Sequence, residues 1–264
     1  LFPFSFKKFP DGELYFRFEK KLSGKNVALV QSLSVSPNNA ILELVFAART
    51  AKKMGAKKVI AVTPYLAYMR QDKVFNFGEC FSAKEMAWLL SMCVDELYSF
   101  DPHLHRMKSL LEIFSINAKS LTASGKISEF VAKKFSQHDT VIVGPDWESS
   151  QWAKKIADAI GFESSILEKK RFGDRKVKVR VLKELDWKGK NIVIIDDIVS
   201  TGGTVVQAIK ELGKRKPKDI YCICVHAVLA EGALEKIIKA GAKELISCNT
   251  IESKTNRIDL SGEV

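Results

Sequence analysis

No stretch of this chain approaches the ~20 consecutive apolar residues that a bilayer-spanning helix needs, so a membrane protein of that kind is excluded. Cysteine is scarce and poorly spaced for chemistry: Cys80, Cys93, Cys222, Cys224 and Cys248 form an odd set without a C-x-x-C pair. That excludes a disulfide framework and a structural zinc site, and leaves core or incidental thiols in a reducing, cytoplasmic compartment. No His/Cys cluster in the sequence suggests a structural zinc site. The GxxxxGK[ST] string of a P-loop is missing as well. The opening residues, LFPFSFKK, lack the basic segment and cleavage site of a signal peptide, and lack a starting Met, so the natural start is expected upstream.

What is present in excess is positive charge, with 42 Lys and Arg against 31 Asp and Glu in 264 residues and a net charge of +11. Such a surplus points to anionic partners, nucleic acid first. But the lysines are dispersed, without interleaved aromatics, and no zinc-finger or RNA-binding motif accompanies them. Phosphorylated small molecules account for the charge equally well, and neither nucleic acid nor a membrane is the expected partner.

The chain repeats itself. SGKNVALVQSLSVSPNNAILEL, from Ser23, aligns without a gap on KGKNIVIIDDIVSTGGTVVQAI, from Lys188. Each copy runs from an apolar strand through a loop to a helical pattern ending at glycine (Gly55, Gly213), then to a second strand. One strand–loop–helix–strand unit used twice predicts two similar domains, 1–121 and 122–264. Unalternated apolar runs between helical patterns, as at Thr140 to Pro145, Glu96 to Phe100 and Glu244 to Cys248, predict mainly parallel sheets covered on both faces. Helices are expected over Lys84 to Val94, Ser124 to Phe135 and Trp147 to Ile160. The fold class is α/β, two tandem doubly wound domains.

The differences between the copies are more informative than their likeness. Asp196-Asp197 replaces Gln31-Ser32, and Gly202-Gly203-Thr204 replaces Pro37-Asn38-Asn39. Glycines at 202 and 203 let backbone N–H groups approach an anion, Ser200, Thr201 and Thr204 add hydroxyls, and the next helix offers its positive end. Asp196 and Asp197 suit a vicinal diol as acceptors. Phosphate on one side and diol on the other describe a pentose phosphate. The bland alternative, a capped helix start, explains a Ser or Thr there but not paired acids.

This loop resembles the phosphoribosyl-pyrophosphate loop of the type I phosphoribosyltransferase superfamily. FPDGELYFR (Phe9 to Arg17), TPYLAYMRQDKVFNFGECFSAK (Thr63 to Lys84) and LEKKRFGDR (Leu167 to Arg175) resemble the ribose-phosphate pyrophosphokinase family, over nearly the whole chain. In that family two such domains stand in tandem and only the second keeps the sugar-phosphate loop. The resemblance implies transfer of the diphosphoryl group of ATP to the C1 hydroxyl of ribose 5-phosphate, with Mg2+. It implies Lys169 and Arg171 as catalytic cations in a mobile loop, with Lys170 facing away. It implies Arg70, Gln71 and Asp72 as ATP-binding residues, and His103 and Asp146 at the metal, with His105 a rival to His103. Phe9, Asp11 and Glu13 are implied to reach the adenine of a neighbouring subunit, which requires a homodimer or larger homo-oligomer. Read alone, the Pro-Asp-Gly there is a turn centred on Gly12. His138 and His226 read as structural hydrogen-bonders.

The chain also departs from that family. Trp147, Glu148 and Ser149 stand where many members carry small residues and glycines, so Trp147 and Glu148 are expected to point elsewhere or reshape the pocket. Ser200 replaces an acid, and the segments before Phe9 and after the last motif are short. Two alternatives remain: a phosphoribosyltransferase that consumes the sugar diphosphate, and a catalytically silent regulatory subunit. The first would lack the Arg-Gln-Asp and Phe-Pro-Asp-Gly-Glu segments, and the second would lose the cations or paired acids.

Overall fold

The computed structural model describes residues 3–104, 106–172, 176–181 and 185–264, without the side chains at 148 and 169–180. The chain divides into two compact units, Leu1–Leu121 and Thr122–Glu263.

The N-terminal unit opens with an antiparallel hairpin of Phe4–Lys8 (β1) and Leu14–Phe18 (β2), turned through Gly12 at φ +98°. Asn26–Val30 (β3) leads to a helix over Pro37–Lys53 (α1), which starts at a proline whose missing N–H is no loss in the first turn. Lys58–Val62 (β4), a helix over Ser82–Ser91 (α2), Glu96–Phe100 (β5) and Asn117–Leu121 (β6) follow. The sheet is parallel in the order β3-β4-β5-β6, without a reversal. Ala40, Ile41, Leu44, Ala48 and Ala51, spaced as one helical stripe, bury α1 in the same core as Val59, Ala61, Leu90 and Leu97.

The C-terminal unit starts with a helix over Ser124–Lys134 (α3) and continues through Thr140–Gly144 (β7), Trp147–Ile160 (α4), Glu163–Phe172 (β8) and Lys176–Val181 (β9). Asn191–Val199 (β10), Gly203–Gly213 (α5), Asp219–Ala227 (β11), Ala233–Lys239 (α6), Glu244–Cys248 (β12) and Asn256–Ile258 (β13) complete it. Strand order is β13-β12-β11-β10-β7-β8-β9, and all pairs are parallel except β8 with β9. The first strand of the unit, β7, lies in the middle, with β8 added on one side and β10 on the other. Chain order therefore reverses between β7 and β10, and the crevice at such a switch point is where open sheets of this class bind ligands.

The expected helices and strands are present, with informative exceptions. The repeat's two strands occupy different places: β10 is central and buried from Ile192 to Asp196, whereas β3 is an edge strand with Val30 69% exposed. Hydrogen bonding to one neighbour or two is a property of sheet order, which the repeat does not encode. The hairpin β1–β2, strands β6 and β13 and helix α6 were not marked by apolar runs. The cationic segment around Lys169 is strand rather than loop, with Lys169 opposite Val179 and Arg171 opposite Val177. Alternating Lys-Val-Lys-Val-Arg-Val in β9 has the period-2 pattern that favours such pairing.

Val205, Ala208, Ile209 and Leu212 form the stripe that α5 buries, each larger side chain contributing about 1.5–3 kcal/mol of hydrophobic stabilisation. Of the five cysteines only Cys80 is exposed; Cys93, Cys222, Cys224 and Cys248 are buried, and none forms a disulfide. Burial pushes the Cys222 and Cys224 thiols up, which fits inert core residues.

Candidate active site

β10 ends in the paired acids. Asp196 is buried and Asp197 half-buried. Each carboxylate bends back onto the chain: Asp196 Oδ1 accepts from Asp197 N at 3.1 Å, and Asp197 Oδ1 from Ile198 N at 2.8 Å. Asp146, at the end of the adjacent strand β7, lies close enough to act on Asp196 electrostatically. Burial pushes the Asp196 carboxyl well above the ordinary carboxylate range, and the charges of Asp197 and Asp146 add to that shift. Three acids thus share the switch point, although no three His, Cys, Asp or Glu side chains converge as a ready ligand set among the described residues.

The loop Ser200–Thr204 follows. Its hydroxyls do not cap α5: the N-cap is Gly202 at φ +77°, without a side-chain hydrogen bond, and no acid occupies the first turn. The capped-start alternative therefore fails, and the first-turn amides and the positive helix end are left for an anion. Gly202 is also pressed on α6, where an added Cβ would stand 3.2 Å from Ile237 Cδ1 and 3.4 Å from Ala233 Cβ. Gly202→Ala combines left-handed strain of about 1–2 kcal/mol with that crowding. The expected outcome is a thermal midpoint lowered by several degrees and phosphate-ester affinity lowered by about tenfold or more, read by calorimetry. An alanine variant indistinguishable from the parent in both would show the loop geometry to be dispensable.

Asp146 is tied down as the N-cap of α4. Its Oδ1 accepts from Ser149 N at 3.0 Å and Ser149 Oγ at 2.8 Å, while Ser149 Oγ accepts in turn from Asp146 N at 3.3 Å. One carboxylate oxygen is thus used structurally. Trp147, the next residue, points its side chain out and is 62% exposed. The side chain of Glu148 and those of Lys169 and Arg171 lie outside the described residues, as does His105.

In the N-terminal unit the sequence-identified residues collect at the carboxyl ends of adjacent strands β4 and β5. Arg70 is exposed on the loop after β4. Gln71 is half-buried and its Oε1 accepts from Ser82 Oγ at 2.9 Å. Asp72 is buried, and its Oδ1 takes a 2.7 Å ion pair from Arg106 Nη1 on the loop after β5. Its Oδ2 has no partner among the described residues. Arg106 also lies 5.3 Å over the Phe75 ring. Its partnership with Asp72 was missed from sequence, because nothing local links positions 72 and 106. His103 is half-buried on the same loop.

Phe9, Asp11 and Glu13 lie in the β1–β2 turn, where Gly12 N donates to Phe9 O and Glu13 N to Asp11 Oδ1. Phe9 is 41% exposed, with Lys7 Nζ 5.3 Å from its ring centre. His226 is buried on β11 opposite Ile198; Thr250 Oγ1 donates to Val225 O, so His226 Nδ1 is the donor to Thr250 in the 2.9 Å contact between them. No helix among the described residues is long and apolar enough to cross a membrane.

Known proteins match the chain over nearly its whole length. Residues 1–93 fit the model of the N-terminal domain of ribose phosphate pyrophosphokinase, and residues 112–261 that of the phosphoribosyl transferase domain. The ribose-phosphate pyrophosphokinase of Methanobrevibacter smithii is 37% identical over 269 residues, covering 98% of this chain and 89% of that protein. That of Pyrococcus furiosus is 36% identical over 258 residues, again 98% and 89%. The crystal structure of phosphoribosylpyrophosphate synthetase from Mycobacterium smegmatis superposes with a TM-score of 0.88 at 26% identity, over 99% of this chain and 87% of that one. With both domain models matched and relatives 36–37% identical over 98% of its length, the chain belongs to the ribose-phosphate pyrophosphokinase family.

Proposed function

We propose that the chain transfers the β,γ-diphosphoryl group of ATP to the C1 hydroxyl of ribose 5-phosphate, releasing AMP and forming phosphoribosyl pyrophosphate. A bond forms between O1 of the sugar and the β-phosphorus, the bond from that phosphorus to the α-phosphate oxygen breaks, and the hydroxyl proton is released. The observation that carries this reading is the Asp196-Asp197 pair with its glycine loop, present in the later copy of the repeat alone, at the end of a central strand.

In this reading residues 122–264 take the sugar. The amides and hydroxyls of Ser200, Thr201, Gly202, Gly203 and Thr204 hold the phosphate, and Asp196 and Asp197 hold the diol. Residues 1–121 take the nucleotide through Arg70, Gln71 and His103. Asp72, buried and paired, serves by holding Arg106 in place rather than by touching ATP. The exposed Phe4, Phe6 and Phe9 of the hairpin support a homodimer or larger assembly in which Phe9, Asp11 and Glu13 meet the adenine of a second copy.

A hard divalent cation suits the switch point, because the carboxylates of Asp196, Asp197 and Asp146 gather there and oxygen is the donor at hand. Asp146 in the C-terminal unit and His103 in the N-terminal unit are the residues assigned to Mg2+, which when bound would neutralise charge on the polyphosphate. Lys169 and Arg171 then stabilise charge that develops on the transferring group.

Incubated with magnesium ATP and ribose 5-phosphate, the protein is expected to release AMP in equal amount to the sugar product, resolved by chromatography. ADP in its place would refute diphosphoryl transfer. Asp197→Ala is expected to weaken ribose 5-phosphate by about 10–100-fold, with the KM for ATP little changed. The reverse ranking would remove the diol role.

A further inference from the structure

We propose that Trp147 is a further substrate-contact residue, its indole face closing the β7 side of the pentose-phosphate site. The proposal rests on the reading that ribose 5-phosphate lies over residues 196–204. Trp147 is 62% exposed, a large apolar surface to leave in water. It is the first residue of α4 and directly follows Asp146. Helical side chains lean toward the N-terminus of their helix. The N-terminus of α4 lies at the carboxyl edge of the sheet, so the indole leans over the switch point.

Its base is rigid. Asp146 caps the turn, Ser150 Oγ donates to Trp147 O at 2.6 Å, and the turn sits so near β7 that a Cβ on Gly144 would stand 2.6 Å from Ser150 Cα. Strands β7 and β10 are direct neighbours, about 4.8 Å apart as paired strands are. A pentose held by the paired acids is therefore within one side-chain length of position 147. Its hydroxyls turn to the carboxylates, and the C–H face between them is the apolar patch that an indole covers.

The test is a titration with ribose 5-phosphate alone, without nucleotide, followed by tryptophan emission and by calorimetry. Trp88, Trp152 and Trp187 supply the background in every variant. The parent is expected to show a saturable emission change that Trp147→Phe largely loses while its affinity stays within about threefold. Trp147→Ala is expected to bind about 5–10-fold more weakly, the worth of one aromatic contact, with the KM for magnesium ATP unchanged. Parent-like affinity in Trp147→Ala, or an emission change that survives in Trp147→Phe, overturns the proposal. So does an emission change at Trp147 produced by AMP and not by ribose 5-phosphate. Asp197→Ala separates the two levels: if it binds ribose 5-phosphate as the parent does, the sugar site itself is misplaced. If Asp197→Ala weakens binding and Trp147→Ala does not, the indole contact alone is wrong.

Discussion

Asp196→Asn is expected to abolish turnover and yet to melt at a higher temperature than the parent. The carboxyl of Asp196 is buried beside Asp197 and Asp146, and its folded pKa is raised well above its unfolded value of about 3.9. A raised carboxylate pKa means that folding favours the protonated acid. Below about pH 4 the group is protonated folded or unfolded and costs nothing. As pH rises toward the folded pKa that stability is lost, because the unfolded chain ionises freely and the folded one resists. Asparagine has no charge to resist and its Oδ1 can still accept from Asp197 N. At neutral pH the variant should therefore gain about 1–2 kcal/mol, or about 3–6 °C for a chain of this size, and the gain should vanish near pH 4. Turnover should fall by at least about 100-fold, since a neutral amide neither accepts a diol as strongly nor attracts a cation. Calorimetry from pH 4 to 8 checks the first part. An asparagine variant that melts at or below the parent at neutral pH would show that no charge strain is stored there.

Lys169→Ala should cut kcat by about 100–1,000-fold while changing either KM by no more than about threefold. A cation that meets charge only as it develops contributes to the transition state and little to ground-state binding. Arg171→Ala should behave alike, and the double variant should lose much less than the product of the two, as expected of two cations that serve one group. Steady-state kinetics with each substrate varied decides the matter. A large rise in KM for ATP at unchanged kcat would make Lys169 a binding residue instead.

Much of this site is legible in the chain because it is contiguous. Residues 191–209 carry strand, acids, glycines and helix in one run, and steric and hydrogen-bonding preferences act locally there. The comparison of the two copies is likewise a sequence comparison, and it locates the special loop in the second unit without coordinates. The reading of Lys169 and Arg171 as part of a loop needed revision, since the period-2 pattern that pairs β8 with β9 lies partly in the partner strand.

From its sequence alone the protein is determined to be a twice-used strand–loop–helix unit, of which only the later copy carries the paired acids and the glycine loop. The tertiary structure alone decided that Asp146 stands beside Asp196, that Asp72 is buried against Arg106, and that α6 braces Gly202. The physical reason is that strand order and helix packing depend on burying the most apolar surface across the whole unit. That global condition turned the chain order around between β7 and β10 and made one crevice from residues far apart in sequence.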